Sequence, residues 1–364
     1  MAVNSCYIHI PFCDNICSYC DFCKMYYNSN LVDKYLLELE REIDSKYKGE
    51  VLNTIYIGGG TPSSLNIKQL NKLFSIINKL NKSNNCEYTI EGNFNNTTKE
   101  KLDLYKKYGI NRLSFGIESI NQDNLKFLNR ELNINEVKNI IDYSKSIGLN
   151  NINLDLIYAL PKEDINILNN DIDFILSLNV NHISTYSLMI EDNTKLKIDN
   201  IENIDEELDY LMYKNICKKL SNYNHYEISN FCKDGFESKH NLCYWNNDYY
   251  YGFGLGASSY IDNIRSSNTK SLTNYLKGDY ILEKEELNID DVIEYEIMLK
   301  LRLKDGINLK VFKDKYSKEL IDLYDYSILV DNKLLILDND NLFIPEDKFY
   351  ISNEIIVKLL QNKI

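Results

Sequence analysis

Apolar and polar positions along the first 220 residues switch repeatedly between the period of a strand and that of a helix. Residues 6–12 form a compact apolar run stopped by Pro11 and a cysteine-rich loop, which predicts a first strand. Between residues 31 and 47, Leu31, Tyr35, Leu36, Leu39 and Ile43 recur at helical spacing with acids and bases between them. The pair then repeats. Strands are predicted at 54–57, 87–91, 112–115, 152–157 and 182–188, and helices at 67–80, 99–108, 121–128, 135–147, 165–178 and 205–220. Six β-then-α units in succession imply a parallel sheet, as a TIM-like barrel or an open doubly wound sheet. Six units are too few to close an eight-stranded barrel, so the expected fold is α/β, a partial (β/α)6 TIM-like barrel with an open side.

Past residue 220 the pattern breaks. Residues 223–278 read as an aromatic connecting segment, containing His240-Asn241-Leu242-Cys243-Tyr244-Trp245 and Gly252-Phe253-Gly254-Leu255-Gly256. Helices are then predicted at 292–303, 309–315 and 320–328, a hairpin pairing 333–337 with 342–345, and a last helix from Glu354. Three helices and a hairpin make a small C-terminal winged-helix-like domain. The expected division is therefore 1–278 and 279–364. The residues leading into the second part, among them Glu283, Glu285, Glu286, Asp290, Asp291, Glu294 and Glu296, read as an acidic linking helix suited to protein docking or a lid, and ill suited to DNA.

Composition narrows the classes. Across 364 residues, 44% hydrophobic and 26% charged content describes a globular chain with an ample core. No run approaches eighteen apolar residues and residues 1–6 are too short and polar for a signal peptide, so a cytoplasmic location is expected. A net charge of −13 disfavours nucleic acid as a partner. In the cytoplasm the nine cysteines stay reduced, which makes the clustering of Cys13, Cys17, Cys20 and Cys23 a metal signal and not a disulfide framework. The scattered Cys6, Cys86, Cys217, Cys232 and Cys243 read as small buried hydrophobes.

Three thiols on one loop after a first strand suit an iron–sulfur cluster with one iron left open; the alternative is a zinc knuckle on Cys13, Cys17, Cys20 and Cys23, with His9 nearby, which is disfavoured because zinc sites usually draw their ligands as two separated pairs. Other polar residues also gather at strand C-terminal ends, where ligands bind in such folds. Glu91 and Asp155 each end an apolar strand, an expensive place for an acid without a partner or ligand. The turn Gly58-Gly59-Gly60-Thr61-Pro62 lets backbone approach a ligand closely, with its amides available to meet it.

The Cys-x3-Cys-x2-Cys spacing after the first of six βα units resembles the radical S-adenosylmethionine (SAM) superfamily. The fuller string Tyr7-x-His9-Ile10-Pro11-Phe12-Cys13, with Tyr19 before Cys20 and Asp21-Phe22 after it, resembles the oxygen-independent coproporphyrinogen III oxidase family. The resemblance implies that Cys13, Cys17 and Cys20 hold a [4Fe–4S] cluster whose remaining iron is chelated by SAM. It implies that Gly59, Gly60 and Thr61 line the methionine end, that Tyr7, Tyr19, Glu91 and Arg130 lie against SAM, and that Asp155 meets its ribose. Glu118 stands where relatives commonly carry Gln, and Glu91-Gly92-Asn93-Phe94 departs from the usual Glu-Ala-Asn-Pro.

Two branches of that family differ in function. The oxidases decarboxylate coproporphyrinogen III and resemble one another in a long extension before the cysteines and a fourth cysteine in Cys-x3-Cys-x2-Cys-x-Cys. Here twelve residues precede Cys13, Phe22 occupies the fourth position, and Cys23 falls one residue late. His240-Asn241-Leu242-Cys243-Tyr244-Trp245 instead matches the His-Asn-x-x-Tyr-Trp string of the HemW branch, regarded as heme chaperones. That match implies heme as a ligand, with His240 or Cys243 reaching its iron, a heme-accepting protein such as a membrane-associated respiratory one as partner, and a homodimer. By its own chemistry His240 reads as an ordinary hydrogen-bonded histidine. The alternative is the oxidase, producing protoporphyrinogen IX. A radical SAM tRNA-modifying enzyme is a third reading, which the acidic charge disfavours.

Overall fold

The computed structural model describes residues 2–364, which divide into two compact units. The first runs up to Lys219 and takes in Tyr249–Glu286. Its strands β1 (Ser5–Ile10), β2 (Leu52–Gly59), β3 (Lys82–Gly92), β4 (Arg112–Glu118), β5 (Asn151–Tyr158) and β6 (His182–Ser187) lie side by side in chain order, each parallel to the next. Between them run helices α1 (Ser29–Lys46), α2 (Ile67–Ile77), α3 (Lys99–Lys107), α4 (Gln122–Phe127), α5 (Ile134–Ser146) and α6 (Ile165–Ser177), with α7 (Glu206–Lys219) after β6. This is the expected (β/α)6 arrangement.

Side chains on these strands alternate between two faces. On β4, Leu113, Phe115 and Ile117 belong to the apolar core, as do Leu154 and Leu156 on β5 and Ile183 on β6. Helices supply the matching surface: Val32, Tyr35, Leu36, Leu39 and Ile43 of α1 and Leu70, Leu73, Phe74 and Ile77 of α2 are all buried, each worth about 1.5–3 kcal/mol. The other face is polar along its length, with Arg112, Ser114, Gly116 and Glu118 on β4, Asn151, Asn153 and Asp155 on β5, and His182 and Ser184 on β6. Asparagine side chains cap several helices, Asn28 on α1, Asn66 on α2 in a capping box with Gln69, Asn121 on α4 and Asn133 on α5.

The later aromatic stretch is more regular than its sequence suggests. β7 (Tyr250–Phe253) pairs parallel with the free side of β1, and β8 (Ser258–Ile261), β9 (Ile264–Asn268) and β10 (Ile281–Glu286) extend the sheet antiparallel. Residues 281–286, read from sequence as part of an acidic linking helix, are thus an edge strand. Every one of its side chains is exposed, and its row of charges blunts the edge against further pairing.

The second unit comprises Leu220–Asp248 and Leu287–Ile364, so residues 220–248 group with the C-terminal module and the compact units differ from a single cut at 278. It contains the hairpin of Asn224–Glu227 with Asn230–Cys232, helix α8 (Lys239–Trp245), helix α9 (Ile289–Lys300), helix α10 (Leu309–Tyr316) and the terminal helix Ser352–Gln361. Asn341–Phe343 pairs antiparallel with both Ile336–Asp338 and Ile307–Asn308. The helix expected at 320–328 is broken into a 3₁₀ turn at Leu320–Asp322 and a short helix at Ser327–Asp331, because Tyr324 and Asp325 turn their backbone to residues 362–364. Among the described residues no helix is long and apolar enough to cross a membrane.

Candidate functional site

The cysteine loop is anchored at both ends. Phe12–Cys13 pairs in parallel with Met25–Tyr26, the Met25 amide donates to Pro11 O at 2.7 Å, and the Tyr27 amide donates to Cys13 O at 2.8 Å. The lobe between them is tied to neighbouring loops: Ser18 N donates to Leu128 O, Leu196 N to Ser18 O, and Asn129 Nδ2 to Ile16 O. Tyr19 packs against an apolar cluster of Leu128, Ile157, Leu160, Leu188 and Leu196. Cys13 is buried, whereas Cys17, Cys20 and Cys23 are half-buried, and all four are free thiols. Burial pushes Cys13 up to about 11, with Thr61 Oγ1, 3.5 Å from its sulfur, acting in the opposite direction.

The three glycines after β2 each make room for one functional group. A Cβ on Gly58 would stand 2.8 Å from the Glu91 carboxylate, one on Gly59 2.5 Å from the His9 ring, and one on Gly60 2.9 Å from Cys13 Sγ. Gly59 also has φ of +116°, open to glycine alone. The sequence-based idea that these amides face a ligand does not hold. Gly59 N donates to Glu91 Oε2 at 3.0 Å, Gly60 N to Ile10 O at 2.9 Å and Thr61 N to Phe12 O at 2.9 Å. What the turn offers a ligand is closeness, not donors.

Tyr7 and Tyr56 stack with ring centroids 6.1 Å apart, and Tyr56 donates to Glu91 Oε1 at 2.7 Å. His9 Nε2 is 2.7 Å from Cys23 O, which only accepts, so Nε2 carries the proton and Nδ1 accepts from the Tyr7 hydroxyl at 3.0 Å. Burial lowers this imidazole to about 4, which keeps it neutral. His9 thereby fixes Cys23 by its backbone, and the Cys23 thiol has no role in that contact.

On the far side of the loop, Arg130 Nη1 lies 3.1 Å from Glu118 Oε1 and 3.5 Å from Cys17 Sγ, while its Nη2 donates to Gly116 O at 2.8 Å. Tyr19 donates to the same Glu118 oxygen at 2.9 Å. Glu118 has φ of +61° at a register shift between β4 and β5, a strained conformation of the kind that clusters at functional sites. Burial raises both Glu91 and Glu118 to about 7, opposed by Tyr56 at Glu91 and chiefly by Arg130 at Glu118. Asp155 is likewise raised by burial and accepts from Asn153 Nδ2 at 2.8 Å.

The structure therefore brings Tyr7, Cys13, Cys17, Tyr19, Gly59, Gly60, Thr61, Glu91, Glu118 and Arg130 into one linked network at the C-terminal ends of β1 to β4, with Asp155 beside it on β5. Among the described residues no group of three or more His, Cys, Asp or Glu side chains converges to hold a single metal ion. The space reserved beside Cys13 by Gly60 and the cation beside Cys17 fit an anionic iron–sulfur cluster. His240 and Cys243 belong to the second unit, on α8. Both are buried, and His240 Nε2 is 2.8 Å from the Tyr244 hydroxyl. Leu242 and Asn246 of the same helix line a cavity of about 670 Å³ that also includes Lys300 and Lys304. Sequence reasoning missed Tyr56 and Arg112; the signal for both was the polar alternation on the inner face.

Comparison with known proteins places this geometry in a class. Residues 7–175 match the model of the radical SAM superfamily. The architecture matches that of coproporphyrinogen III oxidase (HemN) from Escherichia coli with a TM-score of 0.87, covering 98% of this chain and 89% of that one at 21% identity, a likeness of fold. Two relatives, each named heme chaperone HemW, are more similar in sequence. That of Lactococcus lactis is 36% identical over 99% of this chain and 98% of its own, and that of Bacillus subtilis 39% identical over 90% and 91%. The chain belongs to the HemW family of radical SAM proteins.

Proposed function

We propose that this protein is a heme chaperone of the cytoplasm, which binds heme and passes it to an acceptor protein while keeping a [4Fe–4S] cluster and SAM. The observation that carries this reading is the full-length likeness to the two HemW proteins, supported by the His-Asn-x-x-Tyr-Trp string on α8 and by Phe22 in place of a fourth cysteine. Cys13, Cys17 and Cys20 hold the cluster. The bound cluster supplies an iron with a free position for the amino and carboxylate groups of SAM. Gly59, Gly60 and Thr61 admit the methionine end, Tyr7, Tyr19, Glu91, Glu118 and Arg130 surround the cofactor, and Asp155 accepts from the ribose. Arg130, already beside Cys17, offsets the negative charge of the thiolates.

Heme contacts fall to His240, with Cys243 as the second choice. Ligation through Nε2 requires His240 to give up its contact with Tyr244, so the hydroxyl competes with the iron for that nitrogen. The heme acceptor is expected to be a membrane-associated respiratory protein, and the cluster and SAM govern dimerisation or release. Anaerobically reconstituted protein titrated with heme tests the reading: a Soret band that saturates and is lost in His240→Ala supports it, and SAM binding without any heme binding overturns it.

A further inference from the structure

One row of the inner face leaves three buried polar atoms without partners. Thr89 on β3, Arg112 on β4 and Asn151 on β5 stand side by side in register. Thr89 Oγ1, Arg112 Nε and Asn151 Oδ1 are buried and have no hydrogen-bond partner. Arg112 is 2% exposed and ranks first in size among the fully buried side chains. A guanidinium in such a place is costly unless opposite charge lies near.

That charge lies toward the C-terminal ends of the same strands. Glu91 follows Thr89 by two residues and pairs in register with Ser114, itself two beyond Arg112. Asp155 is four residues beyond Asn151 and pairs with Gly116. Burial raises the Glu91 and Asp155 carboxyls and the Tyr56 hydroxyl, and the positive charge of Arg112 opposes each rise as a smaller influence; burial keeps His182 on β6 neutral, with Arg112 adding to the effect. Other charged or titratable groups face the same two acids: Asp155 itself faces Glu91 and adds to its rise, Tyr7 and Tyr56 also face Glu91, and Glu118 and Arg130 face Asp155. Arg130 is already committed to Glu118, Gly116 and Cys17. Arg112 is the cation with no such commitment.

We propose that Arg112 is a positioning residue for the SAM pocket, a fixed counter-charge beneath Glu91 and Asp155 that favours the form of each able to accept from the cofactor's hydroxyl and ammonium donors. Rows of the inner face then divide the work: the upper carboxylates touch the ligand, and the guanidinium below sets their ionisation without touching it. This rests on the assignment of Glu91 and Asp155 to SAM proposed above.

The test is SAM affinity as a function of pH, measured by equilibrium dialysis with labelled SAM on the full chain after anaerobic reconstitution. Wild type is compared with R112Q, R112K, E91Q, D155N and the R112Q/E91Q double variant, with iron content and thermal midpoint recorded for each. Binding that needs carboxylates strengthens as pH rises through their titration, and loss of the cation raises that titration. R112Q is therefore expected to move the profile upward by about one pH unit and weaken binding about tenfold near neutrality. R112K restores the wild-type position, and in the E91Q background R112Q adds less than it does alone. A wild-type profile in R112Q, or full additivity with E91Q, overturns the proposal. Unchanged SAM binding in E91Q and in Asp155→Asn overturns instead the underlying assignment. Where R112Q does not fold, R112K decides: an upward-shifted profile contradicts a charge role and a wild-type profile supports it.

Discussion

Replacing Glu42 by Ala should cost about 3 kcal/mol and loosen the segment that closes over the cysteine loop. Glu42 is fully buried on α1, and its carboxylate accepts from Gly254 N at 2.8 Å, Asn268 Nδ2 at 2.7 Å, Tyr275 OH at 2.6 Å and Lys46 Nζ at 2.6 Å. Three of these donors are buried, and each one orphaned costs about 1–3 kcal/mol. Water entering the vacated space relieves part of this, so the sum falls near the lower bound; Lys46 is partly exposed and adds little. Gly254 matters most for the site, because a Cβ there would lie 2.4 Å from Tyr35 OH and 2.6 Å from His9 O, and Gly256 packs against Cys23. Urea unfolding measures the loss directly, and at about 2 °C per kcal/mol in a chain of this size the thermal midpoint should fall roughly 6 °C. Glu42→Gln keeps one acceptor and should cost less. A loss below about 1 kcal/mol in Glu42→Ala would show that the network does not hold the segment.

Gly60→Ala places a Cβ 2.9 Å from Cys13 Sγ and 2.8 Å from the Pro11 carbonyl carbon, so iron uptake on anaerobic reconstitution should fall severalfold while the fold, read by circular dichroism, survives. Burial raises Glu163 to about 8, with Asp171 adding to the rise and the Leu160 amide opposing it. Its folded value exceeds its unfolded one, so its contribution to stability is full below about pH 4.5 and is lost as pH rises through about 8, at a slope of up to about 1.4 kcal/mol per pH unit. Glu163→Gln should flatten that decline in urea midpoints taken across the range, and parallel curves would refute the assignment. Tyr244→Phe should strengthen heme binding, read from the Soret band, by releasing His240 Nε2, whereas weaker binding would make the tyrosine a heme contact in its own right.

The parallel order of β1 to β6 was legible because each strand is apolar on its core face and each helix carries one apolar stripe. The cysteine spacing and the glycine turn were legible because close approach and metal ligation demand particular residues. Other features were hidden for physical reasons. Asparagines are spread along the whole chain, yet Asn28, Asn66, Asn121 and Asn133 each cap a helix, a role that depends on backbone position and not on abundance. The strands of residues 250–286 escaped notice because short antiparallel strands with a Gly-rich and charged sequence have weak periodicity. That Gly59, Gly60 and Thr61 direct their amides inward could not be read from composition at all, because it depends on where Glu91, Ile10 and Phe12 lie in the fold.

Heme transfer without porphyrinogen chemistry is the central claim, and one paired measurement addresses it most directly. The anaerobically reconstituted protein, with SAM and a reductant present, is given heme in one arm and coproporphyrinogen III in the other. Saturable heme binding that is lost in His240→Ala, with no protoporphyrinogen IX formed, is the predicted result. Turnover of coproporphyrinogen III that depends on Cys13 would contradict it and make the protein a decarboxylating oxidase.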